Sequence, residues 1–552
     1  MKKIIRQKVG EIPILQHVAK RLKIRNILAY NISSHGNEKV EAVDSLMLLI
    51  YNIACGRAPL YELEEWTTKM NSRMFGYTSF DKGVFTDDRF GRALDKLYHA
   101  DRASLMTQIV ISTVKEINLK LDQVHNDSTT VKAYGKISGK TKTGLELKKG
   151  ISKDHRPDLK QLVYSLSVSS DGFVPIHYKS YSGNVTDDTT HIETWNTLKI
   201  ITDRCDFLYV ADCKVCTDKQ LSYIVSRKGR VITTIPDTWG EVKEFKEALR
   251  LNAKKRNIIM RVSLSETKQK YDTLSCFDGM YKTNKRGYRI YWIHSSRKRE
   301  QDFHRRQIFL AKTDNELAEL SFKINKRNLK TKDAITEKID KILNKNKVKQ
   351  FYKITIDEKE FRYSVQDGRG RPGANTKYKI EIQKEIFLSW KRDKQALARE
   401  KNVDGIFPLL STDKNSNVKS VLCAYKYQPR LEKRFSQFKS THNASPLLFK
   451  NIERVEAMMF LFFVALILQA VIEREVRNNM KNNEINHLPI YPEHRFAYHP
   501  TTAKIFDRFS DNSTYLLMED NKVTQEFEDS LNEVQLTILK LLNISEQQYW
   551  AK

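Results

Sequence analysis

Two periodicities divide the chain. From the N-terminus to about residue 118, apolar positions recur three and four apart, the spacing of helices with one buried face. Val43 to Ala54 predicts an apolar helix with Asp44 and Ser45 near its start. Thr86 precedes Asp87 and Asp88, and an i, i+3/i+4 apolar series follows from Arg89 to Tyr98. That is the pattern of an N-cap, an acidic first turn and an amphipathic body. No convincing strand is legible in this part, so residues 1–118 are expected to be an all-helical domain for DNA binding or dimerisation, with simple helical packing as the equal alternative.

From Leu121 period two takes over. Gln161 to Ser169 alternates, Asp171-Gly172 supplies turn chemistry, and Phe173 to Tyr178 returns, which predicts a hairpin. A helix is expected from Thr186 through Trp195 to about Ile201, with Asp187 and Asp188 as its starting acids. A short buried strand over Phe207–Ala211, a helix over Asp218–Arg227 and a strand over Val231–Ile235 complete the series: strand, hairpin pair, helix, strand, helix, strand.

Between Ile235 and about Val418 the plan changes. Tyr288 to His294 and Tyr352 to Ile356 are strand-like, whereas Arg297–Leu320 and Asp333–Asn346 read as charged helices. So long a stretch is too much for a structureless loop, and residues 236–418 are expected to form a β-rich insertion. Ala457 to Leu468 is an unbroken apolar run of twelve residues, short of the roughly 18–20 needed to cross a bilayer. A buried core helix is expected there, and no membrane partner. Residues 419–480 are assigned to the same core as 119–235. Residues 481–552 are expected to be a helical tail ending in an amphipathic helix over Ser530–Leu542.

Charge changes this picture from a generic α/β chain to one with a polyanionic partner. Lys and Arg number 96 against 67 acids, a formal +29 in 552 residues. Such an excess suits a protein lying along nucleic acid rather than one acting on a small molecule, and predicts binding that weakens with salt. Cys55, Cys205, Cys213, Cys216, Cys276 and Cys423 form no framework, which suits a reducing cytosol. Cys213 and Cys216 make a lone C-x-x-C without the second pair a zinc site wants.

Three acids carry the candidate chemistry. Asp127 and Asp212 end short apolar runs, and Glu432 sits in a basic stretch from Tyr425 to Lys439. Two carboxylates at strand ends plus a third on a helix would supply hard oxygen ligands for two Mg²⁺ (or Mn²⁺) ions, the set a two-metal phosphodiester site needs. Glu432 and Lys439 are seven residues apart, about two helical turns, and should share a face. Taken singly, an Asp at a strand end is usually a turn residue and a Glu in a basic helix a solvated ion-pair member.

Together these stretches resemble the DDE transposases of bacterial insertion sequences, in the branch marked Y-x2-R-x3-E-x6-K. Tyr425, Glu432 and Lys439 stand at the motif's positions, and Gln428 stands where the pattern has Arg. His125-Asn126-Asp127, Tyr181-Ser-Gly-Asn184, Tyr209-Val-Ala-Asp212 and Asp404-Gly-Ile-Phe with Thr412 fit the same branch. The resemblance implies an RNase H-like mixed sheet flanked by helices, with its first and fourth strands adjacent and their Asp residues together. It also implies metal-dependent cleavage at transposon ends, strand transfer into target DNA, and a homodimer in the synaptic complex. Asp127, Asp212 and Glu432 would be the catalytic metal ligands, with Tyr425 and Lys439 on DNA phosphate. Gln428 would remove one phosphate clamp, and Arg430 would lie on a different helix face.

Further DNA contacts are expected from the insertion. Trp239 or Trp292 could stack on an unpaired base, although a core or surface aromatic is the plainer reading of each. Arg369 and Arg371, in Gly368-Arg-Gly-Arg-Pro-Gly373, could lie in an AT-rich minor groove; the plainer alternative is an exposed turn between two strands. Asp187 and Asp188 could approach the metals as second ligands out. Two other functions stay open: an RNase H-like nuclease or resolvase without strand transfer, and a non-catalytic DNA-binding regulator. No small-molecule substrate is expected.

Overall fold

A computed structural model describes the chain except for residues 1, 34–39, 57, 136, 138, 152–155, 187–188, 265–269, 327, 427, 446–448, 521 and 552, and describes only the backbone at 428, 429 and 494. The expected acids Asp187 and Asp188 therefore lie outside the described residues. Two compact units are formed, residues 1–234 with 410–552, and residues 235–409.

The first unit is built on a mixed sheet. Its strands are β2 (Gln123–Ala133), β3 (Lys160–Ser169), β4 (Pro175–Ser182), β5 (Leu208–Val210) and β6 (Arg230–Thr234), after an N-terminal strand β1 (Lys2–Lys8) that belongs elsewhere. The order is β4-β3-β2-β5-β6, antiparallel from β4 to β2 and parallel from β2 to β6. Parallel neighbours need a crossover, and the helices His191–Thr202 and Asp218–Ser226 provide them. This is the RNase H-like arrangement. Gly172, at φ 78°, makes the β3–β4 turn that a side chain would strain.

The apolar run became one helix of 31 residues, Ile452–Asn482, buried at every position from Ala457 to Ile472. By length and composition it could cross a membrane, yet 94% of its apolar window lies inside the fold. It packs on the helices Ala42–Ala54 and Asp87–His99 and on β4. Phe463 meets Tyr178 of β4 at 4.9 Å between ring centroids. Each such fully buried aromatic or aliphatic side chain contributes roughly 1.5–3 kcal/mol of transfer free energy, so this helix is the spine of the unit.

Several expectations are corrected. The N-terminal region is not all helical, because β1 pairs antiparallel with Ser513–Glu519, which in turn pairs with Lys522–Glu528. The C-terminal region is accordingly not a helical tail, though a helix over Glu533–Leu541 does follow, with a capping box between Asn532 and Gln535. Only Ile4 and Ile5 are apolar in β1, and its partner is some 510 residues away. Local periodicity cannot report such a pairing. The helix expected from Thr186 begins at His191.

The second unit carries as much helix as strand, so "β-rich" describes only part of it. Strands Arg256–Ser263, Tyr271–Phe277 and Arg289–Ser295 lie side by side. Trp292 is 1% exposed and stacks on Phe245 at 3.9 Å and 7°. A residue so enclosed is a core aromatic and cannot stack on a base, which corrects that expectation. A second cluster joins the helices Ser296–Ser321 and Lys332–Lys345 to the base of a long hairpin, Tyr352–Gln366 with Tyr378–Arg392.

Candidate active site

The sheet register brings the two aspartates together. β2 and β5 run parallel with Val124 beside Tyr209 and His125 beside Val210. Asp127 and Asp212 each follow two residues after that last pair, Asp127 still within β2 and Asp212 just past the end of β5, so the register carries both to one level of neighbouring chain segments. Asp127 does not end its strand, as expected, but sits fifth of eleven residues, because β3 continues to pair as far as Ala133. Asp212 lies two residues beyond the end of β5. Its Oδ1 accepts the Lys214 amide at 2.9 Å and caps the short helix Cys213–Val215. The Ser128 amide donates to Asp127 Oδ1 at 2.7 Å.

Glu432 comes in from above the same face. Asp127 lies opposite Leu166 and Thr129 opposite Tyr164, and residues two apart share a face. Tyr164 stacks on Phe438 at 4.5 Å and 14°, so the segment carrying Glu432 covers the face from which Asp127 projects. Burial, and then the Asp127 charge, hold the Glu432 carboxyl above its ordinary range. Burial pushes the Tyr425 hydroxyl up to about 12, opposed by its hydrogen bond with Thr234 and reinforced by the charges of Asp212, Cys213 and Glu432. One tyrosine thus senses two of the acids, and the third acid senses the remaining one.

The helix around Glu432 departs from the single basic helix expected. Val418–Lys426 and Gln428–Ser436 are separate helices, and Gln437–Thr441 is a π turn. Pro429 near the start of the second helix suits a first turn, where no amide is required. In a π turn each residue rotates less than in an α-helix, so half-buried Lys439 lags behind the face that holds Glu432. The side chain of Gln428 lies outside the described residues. Arg430 places its guanidinium over the Phe173 ring, 5.1 Å from the centroid.

A polar clamp that the sequence did not disclose fixes this helix. Arg434 Nε donates to the Phe173 carbonyl at 3.1 Å and Nη2 to the Gly172 carbonyl at 3.2 Å. Its Nη1 lies 3.0 Å from Glu473 of the long helix, with both side chains about 5% exposed. Glu473 also accepts the Thr502 amide at 3.0 Å. Gln437 donates to Gln469 at 2.5 Å, and His442 Nε2 lies 2.7 Å from the same Gln469 oxygen. The one available signal was polar Gln469 and Glu473 at the end of an apolar run. Arg434 itself is hidden among the basic residues around it.

His125 is fully buried, and Asn126 Nδ2 donates to Ser165, Leu166 and Ser167 of β3. Arg369 and Arg371 lie in the exposed loop of the long hairpin, in the second unit. Among the described residues no three His, Cys, Asp or Glu side chains are grouped so as to hold a metal ion. The three acids are neighbours by backbone position and by charge rather than a closed ligand set. Like charges so placed oppose one another's ionisation, and oxygen donors of this type suit hard divalent cations.

A domain of unknown function, DUF4277, matches residues 4–111, a stretch that includes none of the three acids. No curated protein sequence matches the chain. Among solved structures, the chain is similar to a piggyBac transposase in a synaptic complex with hairpin DNA, at 9% identity over 87% of each chain and a TM-score of 0.25.

Proposed function

We propose that this chain is a DDE transposase, which cuts DNA at the ends of its element and joins the freed ends to a target duplex. The observation that supports this reading best is the parallel β2–β5 register, which brings Asp127 on β2 and Asp212 just past β5 to one level, with Glu432 within reach of the Asp127 charge. Asp127 with Asp212, and Asp127 with Glu432, would hold two Mg²⁺ or Mn²⁺ ions. When bound, such ions lower the pKa of a water and offset charge on the phosphodiester. Lys439 supplies a cation for DNA phosphate. Tyr425, protonated up to about pH 12, can only donate or accept hydrogen bonds at working pH. Arg434 holds the helix that presents Glu432.

The same reading carries duplex DNA as partner, a homodimer in the synaptic assembly and a cytosolic location. Its test is a duplex carrying the element's terminal inverted repeat, incubated with the protein, Mg²⁺ and target DNA. Joined products are expected, and Asp127→Asn should abolish cleavage while end binding stays within a few-fold. Cleavage retained by Asp127→Asn would refute the site; cleavage without joining would leave a nuclease.

A further inference from the structure

The longest regular strands in the described chain are spent on a two-stranded arm. Tyr352–Gln366 and Tyr378–Arg392 pair without a register shift over fifteen positions, about 50 Å at 3.4 Å per residue. Only the base is anchored: Tyr352 and Ile386 are buried, with Ile354, Ile356, Leu388 and Trp390 packed alongside. Beyond the Glu358–Ile386 pair, eight further pairs run out to the tip, roughly 25 Å of ribbon. A lone hairpin is marginal in water. Here Phe361 meets Phe387 at 6.0 Å, Lys359 lies over Phe387 at 5.6 Å, and the Tyr363 hydroxyl donates to Glu385 at 2.8 Å. These contacts keep the ribbon extended.

The tip has a chemistry of its own. Between Gln366 and Tyr378 the chain reads Asp367, Gly368, Arg369, Gly370, Arg371, Pro372, Gly373, and ends in Lys377. Gly368 at φ 120° and Gly370 at φ 144° occupy backbone conformations that only glycine holds without strain, and a Cβ at either would meet nothing within 4 Å. Packing inside the protein therefore does not call for these glycines. Arg369 and Arg371 are exposed, and among the described residues neither has a hydrogen-bond or ion-pair partner. Two guanidiniums on a strip of backbone that is nearly bare of side chains match one surface in particular. The minor groove of B-DNA is about 6 Å wide, admits a thin extended chain, and narrows over A-tracts into a strong negative potential that draws arginine.

The geometry points to the tip of this arm as a minor-groove anchor for AT-rich duplex DNA, with Arg369 and Arg371 inserted. The inference rests on the proposed function only for its polyanionic partner. A G·C pair would reject the insertion because its exocyclic amine obstructs the groove floor. Lysine could not substitute, being a strongly hydrated point charge rather than a flat, weakly hydrated group.

The test uses the full chain and two fluorescent duplexes of equal length, one with a central A-tract and one all G·C, titrated at several salt concentrations. Wild type should prefer the A-tract about tenfold, the scale of one or two base-pair discriminations, and a minor-groove-binding drug should abolish the preference. R369A/R371A should lose the preference and flatten the log–log salt slope by about 2, from two contacts at about 0.9 per neutralised phosphate. R369K/R371K should keep the slope and lose the preference. Equal wild-type affinity for both duplexes would overturn the inference, as would an unchanged preference in R369A/R371A. A wild type without preference whose sedimentation changes on R369A/R371A substitution would overturn it in favour of contact with a second copy. Mg²⁺-dependent cleavage by wild type separates the two readings: preference without cleavage sinks the proposed function alone, and cleavage without preference sinks this inference alone.

Discussion

Arg434 and Glu473 form an ion pair whose side chains are 5% and 6% exposed, and the position of Glu432 depends on it. Glu473→Gln keeps the shape of the side chain and removes its charge. Arg434 would keep two backbone carbonyls and Gln437 as acceptors but would stay buried without a counter-charge. Breaking a buried pair in this way costs about 3–5 kcal/mol. The first unit spans about 380 residues, so its unfolding entropy is about 0.8 kcal/mol/K and a loss of about 4 kcal/mol lowers Tm by about 5 °C. Arg434→Met should cost a similar amount and, through a displaced Glu432, slow cleavage about a hundredfold with end binding retained. The double variant Arg434→Met/Glu473→Leu leaves no buried charge at this pair and should be less destabilised than the two singles added together, by about 1–3 kcal/mol. Calorimetry on the four proteins, with single-turnover cleavage alongside, measures all of this. A Glu473→Gln melt within about 1 °C of wild type, or strict additivity in the cycle, would refute the clamp.

Three further outcomes follow from the site and the core. Mg²⁺ at about a hundred times its dissociation constant should stabilise wild type by about 2.7 kcal/mol, about 3 °C, and Asp127→Asn should lose most of that gain; equal gains in both proteins would place the metal elsewhere. Because burial and the Asp127 charge hold the Glu432 carboxyl above its ordinary range, the folded chain binds that proton more tightly than the unfolded one, and stability falls as pH rises from the ordinary carboxylate range through the raised value. Glu432→Gln should therefore leave Tm unchanged below about pH 4 and raise it at neutral pH without metal; a shift of one size at every pH would contradict this. Trp292→Ala should cost about 3–5 kcal/mol as a core truncation and leave the salt slope of DNA binding unchanged; loss of one unit of slope or more at full stability would return Trp292 to the DNA-binding surface.

What was legible in the sequence was whatever repeats locally. The alternation of Gln161–Ser169 and the Asp171-Gly172 turn gave β3 and β4, and the Asp127 and Asp212 stretches lie on the two strands that the register makes neighbours. Two kinds of feature were not legible. Pairing across some 510 residues left β1 unread, since strand propensity is mostly a record of what a strand packs against. Side-chain roles set by burial left Arg434 indistinguishable from its basic neighbours and Trp292 indistinguishable from a surface aromatic. The π turn at Gln437–Thr441 was hidden for a related reason: it coincides with a polar network of Gln437, His442, Gln469 and Thr502 whose members come from three distant segments.

The separation of Glu432 from the two aspartates has a physical resolution in how the insertion is closed. The excursion Ile235–Leu409 is 175 residues long. By chain closure alone, lengthening a loop from about 15 to 175 residues costs only about 2 kcal/mol, and here the ends are not left to diffuse. In the first unit the Thr412 amide donates to the Val231 carbonyl at 3.0 Å and the Val231 amide to Thr412 Oγ1 at 2.8 Å. In the second, the Ile235 amide donates to the Pro408 carbonyl at 3.2 Å. Entry and exit are therefore pinned within each unit, by backbone pairing and by the Thr412 hydroxyl. The chain leaves and re-enters the first unit at adjacent points beside β6, ahead of the two helices that lead to Glu432. Distance along the sequence then says nothing about distance in the site, and the insertion is free to acquire an arm of its own.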